Sequence, residues 1–129
     1  MRPTFFPSAS AFRDWLEAHH ATETELMVGI HTKSWGRHGM TYPEALDEAL
    51  CFGWIDGVRR RVDAHSFSTR FTPREPRSTW SLVNVRHVQR LTAAGRMRPP
   101  GFKAYEARLR RLARLIADSA GDKRLDLLV

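Results

Sequence analysis

The stretch that decides the fold is residues 41–57, TYPEALDEALCFGWIDG, because it predicts where a helix begins, where it ends and where a strand follows. Thr41 stands three residues before Glu44, which is the spacing of a capping box at a helix N-terminus. Pro43 is tolerated in a first helical turn, where the N–H groups have no intrahelical partner in any case. Gly53 predicts the end of this helix, since glycine adopts the conformation of a C-terminal cap without strain.

The chain before this helix predicts one further helix and one strand. Ser8 or Ser10 is suited to cap the helix, whose apolar residues recur at the spacing of one helical face. Apolar residues alternate over 25–31 and predict the strand. Residues 33–40 contain two glycines and predict a loop.

The chain after Gly53 predicts a hairpin. Residues 54–62 and 66–72 read as its two strands, because apolar and polar residues alternate along the second of them. Asp56 and Gly57 mark either a bulge or a turn.

Two helices are predicted to follow the hairpin. Ser78 is suited to cap the first, which ends at Gly95, and the second covers residues 102–118 after a proline-rich connector. Their predicted buried faces are Leu82, Val85, Val88 and Leu91, and Tyr105, Leu109, Leu112 and Ile116. The whole pattern predicts a single α+β domain over residues 1–118, with an antiparallel sheet of about three strands covered by about four helices. Residues 119–129 are predicted to be a flexible tail.

Composition narrows the class of protein. The apolar fraction is 42%, and no apolar run approaches the ~20 residues that a membrane helix needs. The N-terminus lacks the apolar segment of a signal peptide, and the single Cys51 excludes an internal disulfide. We therefore expect a cytoplasmic protein that is not integral to a membrane.

Charge is divided unevenly along the chain. Residues 1–50 carry four Lys/Arg and seven Asp/Glu, a net of −3, whereas residues 51–129 carry seventeen and seven, a net of +10. A basic half attracts anionic partners through its field. Non-specific nucleic-acid binding is one hypothesis, and it requires the arginines of residues 59–61 and 108–114 to form one continuous face.

Residues 51–84 combine aromatic, basic and hydrogen-bonding side chains in a way that favours a ligand pocket over a plain core. The candidate ligand-binding residues are Trp54, Asp56, Arg70, Arg74, Ser78, Trp80, Ser81 and Asn84. Trp54 and Trp80 are either platforms for a planar or cationic ligand or ordinary core residues. Asp56 either orients a ligand or forms a structural ion pair with one of the two arginines.

Part of this set predicts an anion site. Arg70 and Arg74 flank a proline turn, where guanidinium forks are suited to clamp a phosphate or a carboxylate. Ser81 and Asn84 lie three residues apart near the start of a predicted helix, whose free N–H groups attract anions. An anion held by Arg70, Arg74, Ser78, Ser81 and Asn84 is the sharpest physical hypothesis.

No pattern typical of catalysis or metal binding accompanies this set. The six histidines lack a recognised metal spacing, and no Ser/His/Asp order, carboxylate pair or glycine-rich phosphate loop occurs. Cys51 follows a helix C-terminus, where the dipole opposes thiolate formation, so a buried, unreactive thiol is expected. We therefore predict no catalytic residue, no metal ligand and no cofactor.

Several motifs recur in this order in a known family. They are Thr41-Tyr42-x-Glu44-Ala45, Cys51 to Gly57, Arg70-Phe71-Thr72-Pro73-Arg74, Ser78-x-Trp80-Ser81-x-x-Asn84 and Gly95-Arg96-Met97. Over about residues 5–110 the chain resembles the YdeI/OmpD-associated family, also labelled bacteriocin-protection proteins. The resemblance implies a role in tolerance of antimicrobial or envelope stress, without an established activity.

Three functions follow from the residues and the resemblance together. The leading hypothesis is a non-enzymatic stress or bacteriocin-protection protein that binds a small anion, a peptide or a protein partner at the aromatic and arginine cluster. Nucleic-acid binding through the basic half is the first alternative. An enzyme of unknown class is the second.

Overall fold

The computed structural model describes residues 2–33, 36 and 39–122, which form a mixed four-stranded sheet and four helices. The elements are, in chain order, β1 (Thr4–Phe5), α1 (Ala9–His19), β2 (Leu26–His31), α2 (Tyr42–Cys51), β3 (Trp54–Asp63), β4 (Ser66–Pro73), α3 (Leu82–Ala93) and α4 (Pro99–Asp122). The strand order in the sheet is β1-β2-β4-β3. The predicted α+β class is confirmed, with four strands in place of about three.

The strand that the sequence pattern missed is β1. Its two residues pair in parallel with β2, so the sheet is mixed and not wholly antiparallel as predicted. Phe5 explains part of this pairing, because its ring stacks on His31 at a centroid distance of 4.6 Å and covers Gly29 closely. Two residues are too few to show a strand period, so only the pairing partner reveals this element.

The core lies between the sheet and the first three helices. Phe12 of α1 packs against Phe71 of β4, with ring centroids 5.6 Å apart, and both are fully buried. The other fully or almost fully buried helical residues are Leu16, Ala45, Ala49, Leu50, Cys51, Val88 and Leu91. The apolar stripes of α1 and α2 therefore face the core, as apolar stripes of surface helices generally do.

The helix predicted from residues 41–57 is confirmed. Thr41 donates its backbone N–H to Glu44 Oε1 at 2.9 Å, and Glu44 donates its own N–H to Thr41 Oγ1 at 3.3 Å, which completes the capping box. Gly53 then takes a φ of +75° just after the helix. At this position the chain leaves α2 and enters β3.

The hairpin of β3 and β4 is also confirmed. The register shifts between Asp56 and Arg59, so the Asp56–Gly57 position is a bulge. At the turn, Asp63 Oδ1 accepts hydrogen bonds from the backbone N–H of His65 and from Ser66 Oγ. These bonds favour the ionised carboxylate and hold the pKa of Asp63 below its usual value.

Helix α3 begins about one turn later than predicted. Ser81, not Ser78, is its N-cap, with Oγ accepting from the Asn84 N–H at 3.1 Å. Leu82 consequently occupies the first helical position and is 63% exposed, so its predicted burial was wrong. Gly95 follows the helix with a φ of +70°, which confirms the predicted end.

Helix α4 is longer than the predicted range of 102–118. It starts at Pro99, because prolines are accepted in a first turn, and it continues to Asp122. Leu109 and Ile116 of its predicted buried stripe are 46% and 50% exposed, since no described element covers them. Residues 123–129, most of the predicted tail, and residues 34, 35, 37 and 38 of the predicted loop lie outside the described residues.

The described helices include none with the length and apolar character needed to cross a membrane. Cys51 is fully buried, and burial raises the pKa of its thiol, although nearby Arg13 opposes the effect. A thiol in this setting is a weak nucleophile, so the expectation of an unreactive cysteine agrees with its position.

Candidate functional site

The candidate site lies where the segment between β4 and α3 runs beside the first half of α4. Arg74 anchors the start of this segment, because its backbone N–H donates to the Gly53 carbonyl at 2.8 Å. Further along, Arg111 of α4 donates from Nη1 to the Arg77 carbonyl at 3.0 Å. The segment is thus held against both the α2–β3 junction and α4.

Arg74 is the centre of the site. Its guanidinium carbon lies 3.8 Å from the centroid of the Trp80 ring, and its Nη2 donates to the Thr79 carbonyl at 2.9 Å. Its Nε and Nη1 are shielded from water and have no hydrogen-bond partner among the described residues. Burial lowers the pKa of Arg74, and the negative charge of Asp56 opposes this shift only in part. Buried polar groups are normally hydrogen-bonded, so the Arg74 guanidinium has an incomplete set of hydrogen bonds.

A cavity of about 260 Å³ opens beside Arg74. We call it the Arg74 cavity. Its apolar walls include Phe52, Trp54 and Pro100, and its polar side chains include Lys103 and Arg110 of α4. It has no acidic residue among its lining residues, which favours an anionic occupant.

The two tryptophans of the predicted set differ in role. Trp54 is only 1% exposed and meets Trp15 edge-on at a centroid distance of 5.7 Å, so it is primarily a core residue that also borders the Arg74 cavity. Trp80 is half-buried between Arg74 and the ring of Tyr105, 5.6 Å away. Trp54 is therefore a core residue, which was one of the two alternatives for it, whereas Trp80 packs against the Arg74 guanidinium.

Asp56 forms neither of the two ion pairs considered for it. Instead its Oδ2 accepts a hydrogen bond from the Tyr42 hydroxyl, and Arg59 lies over the Tyr42 ring at 4.7 Å. Burial, together with this hydrogen bond, raises the pKa of Tyr42 to about 12. The hydroxyl is therefore protonated at neutral pH and is not a general base.

Arg70 pairs with a residue outside the predicted anion clamp. It is exposed and its Nε lies 3.2 Å from Glu25 Oε1 across the sheet. β4 ends at Pro73, and the backbone N–H of the next residue, Arg74, donates to the Gly53 carbonyl. Arg70 thus has an acidic partner of its own, and its part in the anion clamp stays a prediction.

The three remaining residues of the predicted set, Ser78, Ser81 and Asn84, have two different roles. Ser78 Oγ is buried without a partner among the described residues, and Ser78 lines a second cavity of about 220 Å³ together with Trp80, Arg108 and Arg111. Ser81 uses its oxygen to cap α3 through the Asn84 N–H. Ser78 thus belongs to the surface beside α4, and Ser81 and Asn84 belong to the helix start.

Sequence reasoning missed Lys103 and Arg110, because they come from a helix far along the chain. The available signal was Gly101, which follows two prolines. A Cβ at this position would collide with the Cys51 carbonyl, so its absence lets α4 approach α2. Only this approach brings Lys103 and Arg110 to the Arg74 cavity.

The arginines grouped by the nucleic-acid hypothesis fall on two elements. Arg59 stacks on the Phe67 ring at 4.2 Å, and Arg61 donates to the Asp63 carbonyl, both in the hairpin. The arginines that line one concave surface are instead Arg110, Arg111 and Arg114 of α4 together with Arg77. In the described part of the chain, no three His, Cys, Asp or Glu residues are grouped as a metal site.

Comparison with known proteins gives one match. No curated protein matches the chain, and no solved structure does. Residues 4–104 match a family described as a domain of unknown function, and this range includes every element from β1 to the first turns of α4. The range covers most of the chain and includes Arg74, Trp80 and Lys103. The chain therefore belongs to the family of the domain of unknown function DUF8412.

Proposed function

We propose that the protein binds a small anionic ligand with an apolar body in the Arg74 cavity, and that it does so without catalysing a reaction. The observation that carries this proposal is the position of Arg74, Lys103 and Arg110 at one cavity that has apolar walls and no acidic lining residue. The oxygens of a phosphate or a carboxylate match the guanidinium and ammonium groups of these side chains.

Preorganisation strengthens this proposal. Trp80 and the Thr79 carbonyl hold the guanidinium in place, so little side-chain freedom is lost when a ligand binds. Lys103 and Arg110 add positive charge at the same cavity, and the apolar walls suit a ring or short aliphatic group attached to the anion. The ligand class supported best is an organic phosphate or carboxylate.

The binding is tested by titrating phenyl phosphate into the wild-type protein and Arg74→Gln, with calorimetric detection. Charged hydrogen bonds contribute about 1.5–3 kcal/mol, so we expect Arg74→Gln to weaken binding by roughly ten- to a hundredfold. Arg74→Lys keeps the charge but loses the fork and is expected to fall between the two. The matched control is Arg70→Gln, which removes one exposed arginine paired to Glu25 and is expected to bind as the wild type does.

Equal affinity of Arg74→Gln and the wild type contradicts the proposal. An equal loss in Arg70→Gln also contradicts it, because the effect is then one of net charge alone. Circular dichroism of each variant shows whether the fold is retained. Orthophosphate in place of phenyl phosphate is expected to bind more weakly, since it leaves the apolar walls uncovered.

We further propose that this binding serves protection against an antimicrobial or bacteriocin, which the resemblance to the YdeI/OmpD-associated family supports. Cells that produce the wild-type protein are then expected to survive bacteriocin exposure better than cells that produce Arg74→Gln at equal abundance. Cells with Arg70→Gln serve as the control. If all three strains survive equally well, and better than cells without the protein, protection does not depend on the Arg74 cavity.

A further inference from the structure

A second concave surface, of about 490 Å³, adjoins the Arg74 cavity. We call it the arginine groove and define it by Arg77, Arg110, Arg111 and Arg114, with Asp118 at its end. The groove and the cavity share Pro76, Ala107 and Arg110, so one ligand can reach from one into the other.

The charge of the arginine groove is poorly compensated. It has four guanidinium groups, and Asp118 is its one carboxylate. Arg110 lies 3.6 Å from Glu106, but both side chains are more than half exposed, so this pair is weak. No carboxylate of the described residues lies within ion-pairing distance of Arg77 or Arg114.

The groove is also a built surface, not a set of loose side chains. The bond from Arg111 to the Arg77 carbonyl fixes the segment against α4, so the two walls keep their spacing. Arg110 and Arg114 lie one helical turn apart, about 6 Å along the axis. This spacing presents two successive cationic sites on α4, and the first of them, Arg110, also lines the Arg74 cavity.

Phosphate groups match this surface better than carboxylates. A phosphate monoester carries about −1.5 to −2 charges at neutral pH, so a chain of phosphates concentrates the negative charge that four arginines require. Arginine also binds phosphate oxygens in a bidentate way. A single carboxylate leaves most of the groove uncompensated.

We infer that the arginine groove binds the phosphate chain of an organic polyphosphate whose apolar ring occupies the Arg74 cavity. This inference rests on the proposed function and extends it, because it names the ligand class as one with a ring at one end and successive phosphates at the other. A nucleoside triphosphate has this chemistry, and so does a terminal nucleotide of a single strand. The first phosphate lies at Arg74 and Arg110, and the later ones lie towards Arg77 and Arg114.

The test compares three ligands and four proteins by calorimetry at constant salt. The ligands are phenyl phosphate, inorganic tripolyphosphate and ATP; the proteins are the wild type, Arg74→Gln, Arg77→Gln/Arg114→Gln and Arg60→Gln/Arg86→Gln. Arg77 and Arg114 line the groove but not the Arg74 cavity, and both are exposed, so the fold should tolerate their replacement. Arg60 and Arg86 are exposed and line neither surface, so their loss matches the change in net charge.

We expect the wild type to bind ATP at least about tenfold more tightly than phenyl phosphate, because each charged hydrogen bond in the groove contributes about 1.5–3 kcal/mol. Arg77→Gln/Arg114→Gln is expected to remove this advantage and to leave phenyl phosphate binding unchanged. Arg60→Gln/Arg86→Gln is expected to keep the advantage. Tripolyphosphate is expected to bind more weakly than ATP and to lose affinity in the groove variant.

Two results overturn the inference. One is equal ATP affinity in the wild type and the groove variant, and the other is an equal loss in the Arg60→Gln/Arg86→Gln control. Phenyl phosphate binding that depends on Arg74 then leaves the proposed function standing. Conversely, ATP binding that depends on Arg77 and Arg114 but not on Arg74 supports the groove and contradicts the proposed function.

A short single-stranded oligonucleotide distinguishes the two sources of the phosphate chain. Tighter binding of the oligonucleotide than of ATP, with affinity that falls steeply with salt and depends on Arg77 and Arg114, assigns the groove to a nucleic-acid strand. Tighter binding of ATP assigns it to a free nucleotide. Either result supports the phosphate-chain assignment.

Discussion

Gly53→Ala is expected to lower the free energy of unfolding by about 3 kcal/mol, from two physical causes that add. The residue has a φ of +75°, a conformation that costs an L-residue with a side chain about 1–2 kcal/mol. An added Cβ would also lie 2.6 Å from the Pro100 carbonyl oxygen, and overpacking of this kind costs about 1–3 kcal/mol. Urea unfolding followed by circular dichroism measures the loss.

Gly95 provides the matched control for this prediction. It has a φ of +70°, but a Cβ there meets nothing within 4 Å, so Gly95→Ala is expected to cost only the conformational part. The difference between the two variants isolates the contact of α4 with the α2–β3 junction. A loss in Gly53→Ala no greater than that in Gly95→Ala contradicts the prediction.

The same contact has a consequence for binding. Pro100, Lys103 and Ala104 border the Arg74 cavity, and the Gly53 variant moves the turn of α4 from which they project. Phenyl phosphate binding is therefore expected to weaken in Gly53→Ala even where the protein remains folded. In Gly95→Ala it is expected to be unchanged.

Glu48→Ala is expected to lower the free energy of unfolding by about 2–4 kcal/mol, because it removes a buried carboxylate that two partly exposed arginines share. Glu48 is 5% exposed. Its carboxylate accepts hydrogen bonds from Arg13 Nη1 at 2.9 Å and from Arg96 Nη2 at 3.1 Å. Asp47 lies 4.0 Å from Arg96 and compensates in part. Urea unfolding measures the effect.

Glu25→Ala is the control for this second prediction. Glu25 also pairs with an arginine, but its pair with Arg70 is exposed and is expected to contribute less than about 1 kcal/mol. Equal losses in the two variants contradict the view that Glu48 holds α1, α2 and the start of the α3–α4 connection together. The loss of stability in Glu48→Gln is expected to be smaller than in Glu48→Ala and larger than in Glu25→Ala, since glutamine keeps an acceptor for Arg13.

Local sequence patterns predicted those elements whose signals are complete within a few residues. The capping box of Thr41 and Glu44 and the glycine end at Gly95 are examples, because the hydrogen bonds or dihedral angles involved join close neighbours. The pattern failed at the start of α3, where two serines lie three residues apart. Both residues are acceptable caps, and the structure has Ser81 and not Ser78 in this role.

The candidate site was likewise predicted only in part. Arg74, Ser78 and Trp80 were predicted from their density in one stretch, and they lie side by side beside α4. Arg70 was predicted from the same stretch but pairs with Glu25, because the register of β2 with β4 brings the start of β2 beside it. Nearness in sequence therefore predicted that Arg74, Ser78 and Trp80 lie together, but it did not predict which more distant residues join them.

The sequence by itself determined the α+β class, the hairpin, the α2 cap and the arginine-rich character of the second half, because each depends on residue type and short-range spacing. Only the tertiary structure decided which cations face Arg74, and which arginines share a groove. The reason is physical: Gly53 and Gly101 let α4 dock against α2, and that docking alone joins residues some thirty positions apart, Arg77 and Arg111, in one surface.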